Sequence, residues 1–69
     1  MSVPPRLTPR QHQVLLLILD GRATKQIARE LSIRQRTAEG HRQAVLRRTR
    51  SHGTVALVRQ AIRWGWITP

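Results

Sequence analysis

The chain has 69 residues, which limits it to one small domain, and it contains no cysteine, which excludes disulfides and thiolate zinc sites. Thirteen basic residues, twelve of them arginine, stand against three acidic ones and give a formal net charge of +10. This balance favours a polyanionic partner such as nucleic acid, because arginine binds phosphate and base edges in a bidentate manner. A well-solvated surface, or codon usage rich in arginine, is the alternative explanation.

Several classes of function find no support in the sequence. The longest apolar run, residues 14–19, is far shorter than the roughly 20 residues of a membrane span, and residues 1–5 do not form a signal peptide. The three histidines are far apart, and neither a catalytic triad nor a phosphate loop is present. We therefore expect a cytoplasmic protein that is not an enzyme, with no metal, no cofactor and no membrane partner.

The N-terminal third of the chain predicts a short tail and a well-defined helix. Residues 1–6 are proline-rich and are predicted to be a mobile tail, with the domain over residues 7–69. Thr8-Pro9-Arg10-Gln11 is a capping-box pattern, in which Thr8 caps the helix and Gln11 reaches back to it. The first helix is therefore predicted from about Pro9 to Leu19, ending at Asp20-Gly21.

Three further helices complete an all-α prediction. The second is predicted from about Lys25 to Leu31 with Thr24 as its cap, and the third from about Gln35 to Thr49 after a turn at Ser32-Ile33. The fourth is predicted from about Thr54 to Trp64, where Gly65 can supply a left-handed stop. A short helix, a tight turn and a longer basic helix are the layout of a helix-turn-helix DNA reader.

The third predicted helix has two distinct faces. Helical spacing places Thr37, Ala38, His41, Val45 and Leu46 on the inward face. The outward set is Arg36, Glu39, Gly40, Gln43, Arg47 and Arg50. Residues 34–48 contain five arginines and one acid, so the positive charge lies on the element that would enter a DNA groove.

One family has the same residues in the same order. They are Leu7-Thr8-Pro9-Arg10, Val14-Leu15, Gly21, Ile27-Ala28, Leu31, Ile33, Thr37, His41-Arg42, Leu57-Val58, Ala61-Ile62 and Gly65, and no gap is needed. This pattern resembles the LuxR/FixJ-type helix-turn-helix family. The resemblance implies a four-helix domain whose third helix reads the major groove and whose fourth commonly forms a dimer contact. Since members usually carry a further module, we interpret this chain as a freestanding version or an excised domain.

The chain departs from the family pattern at the DNA face and in the core. Glutamate is usual at Gln11 and Gln26, so amides replace a familiar ion pair. Residues 37–41 read Thr-Ala-Glu-Gly-His where Thr-Val-Lys-Val-His is common, so Glu39 replaces a lysine. Gly40 costs about 1 kcal/mol of helix propensity relative to alanine. Thr49 stands where a leucine usually closes the core.

Glu39, Gly40 and Gln43 are the predicted base-contacting residues. Glu39 can accept a hydrogen bond from a cytosine amino group, and Gln43 can bind adenine in a bidentate manner. The alternatives are a surface Glu39 that pairs with Gln43 or repels DNA, and an idle amide at Gln43. Gly40 either allows a close approach of the backbone to a base or sugar, or weakens the helix.

Seven residues are predicted to contact phosphates: Thr24, Lys25, Arg36, Thr37, His41, Arg42 and Arg47. Arg36, Arg42 and Arg47 are predicted to contact phosphates because of their positive charge. Thr24 and Lys25 begin the second helix, where amides and the helix dipole favour an anion, although capping alone explains Thr24. The resemblance implies a semi-buried histidine near the phosphates at His41, and a packing role is the alternative.

The fourth helix is the predicted dimer interface, through Val58, Ala61, Ile62 and Trp64. It supplies more apolar surface than so small a domain can cover, and Trp64 and Trp66 cannot easily both be buried. Leu16 and Leu19 are expected to extend this apolar patch.

The leading interpretation is a transcriptional regulator that binds double-stranded DNA in a sequence-specific manner as a homodimer, with residues 35–49 in the major groove. The alternative is a truncated interaction protein that pairs with a larger LuxR-type regulator and modulates it, and RNA polymerase is a further candidate partner. A detached sigma-factor region 4 also has four helices, but the Leu-Thr-Pro-Arg opening and Gly21 favour the LuxR type. A membrane-active basic helix is disfavoured because the basic segment lacks bulky apolar residues.

Overall fold

The computed structural model describes residues 3–68, and Met1, Ser2 and Pro69 lie outside it. The described part contains four helices and no strand: α1 (Pro9–Leu19), α2 (Thr24–Leu31), α3 (Gln35–Arg48) and α4 (Thr54–Arg63). None of these helices is both long and apolar enough to cross a membrane. The predicted all-α, four-helix fold is confirmed. The mobile-tail prediction falls partly on Met1 and Ser2, outside the described residues.

The capping box predicted for α1 is present. The Thr8 hydroxyl accepts a hydrogen bond from the Gln11 amide (3.1 Å), and the Gln11 side-chain oxygen accepts one from the Thr8 amide (3.0 Å). The helix ends at Leu19 with Asp20 as its C-cap, and Gly21 follows in the left-handed region with φ +85°. Both ends of α1 are therefore determined by residues adjacent in sequence.

Helix α2 begins one residue earlier than predicted, and Thr24 is not its cap. Ala23 is the extended residue before the helix, and its carbonyl accepts from the Ile27 amide at 2.9 Å. The Ala23 amide donates to the side-chain oxygen of Gln26 at 2.9 Å. This bond to Gln26 stabilises the start of the helix although Ala23 has no side-chain acceptor, and the Thr24 hydroxyl is left for another partner.

A left-handed residue makes the turn between α2 and α3. Ser32 has φ 55° and ψ 44°, and the Ile33 amide donates to the Ala28 carbonyl at 2.9 Å. Ile33 is half-buried and packs against the core. The turn thus orients α3 relative to α2 by a backbone bond and an apolar side chain.

The core lies between α3 and the other helices. Helix α3 packs against both α1 and α2, while α4 packs against α1. The buried cluster is Val14, Leu15, Ile18, Ile27, Ala28, Ala38, Val45, Leu46 and Leu57. The inward face predicted for α3 is confirmed at Ala38, Val45 and Leu46, with His41 half-buried. Thr37 is exposed, contrary to the prediction, because it lies about 100° around the helix from Ala38.

Thr49 ends α3 as a buried polar residue whose hydroxyl is satisfied. Its Oγ1 donates to the Val45 carbonyl at 2.8 Å and lies 2.9 Å from the Ser51 hydroxyl. The Thr49 carbonyl accepts from the Gln60 side chain at 3.2 Å, which joins the end of α3 to α4. Thr49 therefore closes this end of the core with its hydroxyl satisfied by hydrogen bonds.

The end of α4 packs its two tryptophans against each other. Gly65 has φ +74°, the predicted left-handed stop, and the helix ends at Arg63 with Trp64 as its cap. The rings of Trp64 and Trp66 lie 5.0 Å apart between centroids and are tilted by 55°. Both are half-buried, and Trp66 packs against the core. Tilted contact of this kind shields the two rings from solvent together.

Candidate nucleic-acid interface

The solvent-facing side of α3 carries the predicted reading residues. Arg36, Glu39, Gly40, Gln43 and Arg47 are all exposed, and so is Arg50 beyond the helix. At about 100° per residue, the five helical positions fall within one arc of about 100°, on the side away from the core. The outward face predicted from the sequence is confirmed.

The ends of this surface are cationic and its centre is not. Arg36 and Arg47 are eleven residues apart in α3, which corresponds to about 16 Å along the helix axis. Glu39, Gly40 and Gln43 lie between them. The B-DNA major groove is about 12 Å wide, so a helix in the groove can reach phosphates with its ends while its centre faces base edges.

Glu39 is held by two hydrogen bonds from different helices. Its Oε1 accepts from the Thr24 hydroxyl at 3.2 Å, and its Oε2 accepts from the Gln43 amide nitrogen at 3.1 Å. The hydrogen bond from Gln43 has the largest effect in lowering the pKa of Glu39 below its ordinary value, and the bond from Thr24 acts in the same direction. The nearby positive charge of Arg42 lowers this pKa further. Glu39 is therefore an ionised, acceptor-only group at neutral pH.

The other two side-chain carboxylates, Asp20 and Glu30, share one arginine. Arg22 contacts Asp20 through Nε at 3.1 Å and Glu30 through a terminal nitrogen at 3.1 Å, and the hydrogen bond to Asp20 is the main reason its pKa is raised. Residues 3–68 contain these two ion pairs and no others, and both involve Arg22. The arginines of α3 are thus not neutralised by ion pairs within that range.

The predicted phosphate contacts fall into two groups. Lys25, Arg36, Thr37 and Arg47 are exposed, while Thr24, His41 and Arg42 are half-buried. A groove of about 310 Å³ brings Thr24 and Arg42 together with Arg22 and Thr54. Since Ala23 has no side-chain acceptor, the amides of the first turn of α2 can face an anion in this groove. Thr37 and His41 lie on the opposite flank of α3, about half a turn from Glu39.

The exposed face of α4 differs in part from the predicted dimer interface. Ala61 is 0% exposed and cannot contact a second copy, so this part of the prediction is wrong. Ile62 is 37% exposed, Val58 is half-buried, and Val55 is 71% exposed although it was not among the predicted interface residues. Val55, Val58 and Ile62 form one apolar surface, the α4 stripe, because their spacing places them within about 60° around the helix.

Other predicted members of the apolar patch contribute unequally. The indole nitrogen of Trp64 is enclosed without a hydrogen-bond partner, and the ring lies against Trp66, so much of the Trp64 side chain is in contact with its own chain. Leu16 is 49% exposed, whereas Leu19 packs against the core. Arg59 and Arg63 are exposed beside the α4 stripe. The stripe is therefore apolar at its centre and cationic along one edge.

Sequence reasoning missed the contact between α2 and α3. Thr24 was predicted to cap α2 or to contact a phosphate. In the structure its hydroxyl donates a hydrogen bond to Glu39, fifteen positions away. The Glu39–Gln43 bond had a local signal, the spacing of four residues, and was considered as an alternative to base contact. The Thr24–Glu39 bond had none, because it depends on how the two helices cross.

Comparison with known proteins identifies the family. The sequence pattern of GerE, described as "Bacterial regulatory proteins, luxR family", matches residues 5–61. The chain is similar to the uncharacterized response regulatory protein YgeK of Escherichia coli (strain K12), with 35% identity over 63 residues, which is 91% of this chain and 43% of YgeK. It is also similar to the transcriptional regulatory protein MctR of Rhizobium johnstonii, with 39% identity over 62 residues, which is 90% of this chain and 29% of MctR.

A third relative gives the same result. The transcriptional regulatory protein DesR of Bacillus subtilis (strain 168) is 33% identical over 60 residues, which is 87% of this chain and 30% of DesR. The chain thus spans less than half the length of the curated relatives it matches. No solved structure matches the chain significantly.

The family match covers α1, α2, α3 and most of α4, so it includes both helices of the helix-turn-helix and the turn between them. The resemblance inferred from the residues is confirmed. The chain therefore belongs to the luxR family of bacterial regulatory proteins and is a DNA-binding helix-turn-helix domain of that family.

Proposed function

We propose that this chain binds duplex DNA in a sequence-specific manner and regulates transcription, with α3 in the major groove. The observation that carries the proposal is the exposed face of α3, where Glu39, Gly40 and Gln43 lie between Arg36 and Arg47. The relatives MctR and DesR, both named as transcriptional regulatory proteins, support the same function. In this proposal Gln43 and Glu39 read base edges, and the arginines contact phosphates.

Charge supports a strongly electrostatic interaction. Two of the three side-chain carboxylates pair with Arg22, and the third, Glu39, is the acid on the exposed face of α3. If a dimer contacts about 6 to 10 phosphates, its affinity falls about 10³- to 10⁵-fold between 50 and 200 mM salt. Arg36, Arg42, Arg47 and Lys25 are the side chains proposed to supply most of this dependence, with Thr37 and His41 on the flank.

The test is selection of bound sequences from a random duplex library, followed by salt titrations on the selected site. Arg47→Ala is expected to weaken all duplexes alike and to reduce the salt slope by about 1. Gln43→Ala is the matched variant from the same face, and it is expected to relax preference at one base position by about 1–3 kcal/mol. Recovery of no preferred sequence, together with a flat salt response, would contradict the proposal.

We further propose that two copies bind the DNA as a homodimer through the α4 stripe, with half-sites about one helical turn apart. The stripe is small, and the arginines at its edge from two copies repel each other, so pairing is weak without DNA. Sedimentation of wild type and of an Ile62→Glu variant, free and on a two-half-site duplex, tests this arrangement. Independent binding of single wild-type molecules would instead favour the second candidate function, in which the stripe contacts a larger LuxR-type regulator or RNA polymerase.

A further inference from the structure

The hydrogen bonds around Glu39 join both helices of the helix-turn-helix. The Thr24 hydroxyl of α2 donates to one carboxylate oxygen, and the Gln43 amide, one turn further along α3, donates to the other. Because a carboxylate is acceptor-only, the nitrogen of the Gln43 amide must face it. The orientation of Gln43 is therefore set by Glu39, and that of Glu39 is set in part by Thr24.

We propose that Thr24, Glu39 and Gln43 form one reading unit, with Thr24 as a positioning residue. The unit selects cytosine or adenine, the bases with a major-groove amino group, at neighbouring positions on the strand that Glu39 and Gln43 contact. This inference rests on the proposed function. Each Glu39 oxygen has a lone pair left after its internal bond, and Gln43 keeps one N–H and its oxygen. Glu39 thus favours the amino groups of cytosine or adenine and repels the acceptors of guanine and thymine, while Gln43 can pair with adenine in a bidentate manner.

The unit assigns Thr24 a role different from a phosphate contact. The Thr24 hydroxyl, by its hydrogen bond, restrains the orientation of the Glu39 carboxylate without contacting a base. Loss of that hydroxyl allows the Glu39 and Gln43 side chains to adopt other rotamers. A phosphate contact contributes equally on every sequence, whereas a positioning residue contributes only where the base reader is engaged. Specificity at the Glu39 and Gln43 base pairs should therefore depend on Thr24, although Thr24 itself reaches no base.

The experiment compares Thr24→Val, which removes the hydroxyl at similar volume, with Thr24→Ser, which retains it. Each is titrated on the selected duplex and on duplexes altered at single base pairs. Thr24→Val should lower the preference at the Glu39 base pair about tenfold, within the range of one good base contact, with an unchanged salt slope. Thr24→Ser should restore most of that preference, and the effects of Thr24→Val and Glu39→Gln should be non-additive in a double-mutant cycle.

A second measurement uses the wild-type protein alone. The selected duplex is resynthesised with the major-groove amino group absent, by 2-aminopurine for adenine or 2-pyrimidinone for cytosine. Affinity should fall about tenfold at the base pairs read by Glu39 and Gln43. This arm does not depend on whether a variant folds.

The outcomes separate the reading unit from the proposed function. If wild type selects no sequence, the proposed function fails and the reading unit fails with it. If wild type selects a sequence but Thr24→Val weakens all duplexes equally with a shallower salt slope, Thr24 contacts a phosphate and only the reading unit is wrong. Full affinity after removal of the major-groove amino groups at the selected positions would also overturn it.

Discussion

Replacing Gly40 with alanine should stabilise the free domain. Gly40 lies inside α3 with its backbone exposed, and a Cβ built there meets no atom within 4 Å. The substitution therefore adds no clash and removes the helix cost of glycine, about 1 kcal/mol. For a domain of this size, 1 kcal/mol raises the midpoint of thermal unfolding by about 4–8 °C. The measurement is thermal unfolding followed by circular dichroism in the absence of DNA.

Gly53→Ala is the matched control, because it is the same substitution outside a helix. Gly53 precedes α4 with an extended backbone (φ −174°), and a Cβ there also meets no atom within 4 Å. Glycine is preferred over alanine at this capping position, so the control should be neutral or slightly destabilising. Equal stabilisation by both substitutions, or a lower melting temperature for Gly40→Ala, would refute the helix-propensity argument.

DNA binding by the Gly40→Ala variant separates the two interpretations of Gly40. If the backbone at Gly40 lies against a base or sugar, the added methyl group should weaken binding to the selected duplex, although the free domain is more stable. If Gly40 only weakens the helix, affinity should be retained or improved. Titration of both glycine variants on the same duplex distinguishes these results.

Three further predictions concern capping, pH and salt. Ala23→Ser should stabilise the domain by about 1 kcal/mol in urea unfolding, because a serine hydroxyl can accept a hydrogen bond from the Gln26 backbone amide and complete the capping box. An unchanged free energy of unfolding would mean that the existing bond from the Ala23 amide to the Gln26 side chain is enough to cap the helix. Glu39 has a lowered pKa in the folded state, so its contribution to stability is present above its unfolded pKa and is lost as pH falls through the lower folded value. The acid limb of the stability curve should therefore become shallower in Glu39→Gln, with no difference in slope between the two proteins from about pH 6 to 8. Added salt should strengthen self-association of the free protein by screening the repulsion between Arg59 and Arg63 of two copies, while it weakens DNA binding. Val58→Glu should abolish the self-association. Sedimentation at two salt concentrations measures the association of wild type and of this variant.

Local interactions explain why so much of the fold could be predicted from the sequence. The capping box at Thr8 and Gln11 and the left-handed stops at Gly21 and Gly65 each involve residues within four positions of one another. The exposed face of α3 follows from helical periodicity in the same way. The all-α class, the helix-turn-helix and the candidate reading face were therefore already determined by the order of the residues.

Contacts between helices could not be predicted in that way. The bond from Thr24 to Glu39, the full burial of Ala61 and the exposure of Val55 depend on the angles at which α2 crosses α3 and α4 packs on α1. These angles result from the packing of the whole core, which no short segment encodes. The sequence by itself thus determined which residues of α3 face solvent. Only the tertiary structure decided that Thr24 of α2 bonds to one of them and which apolar residues of α4 remain exposed.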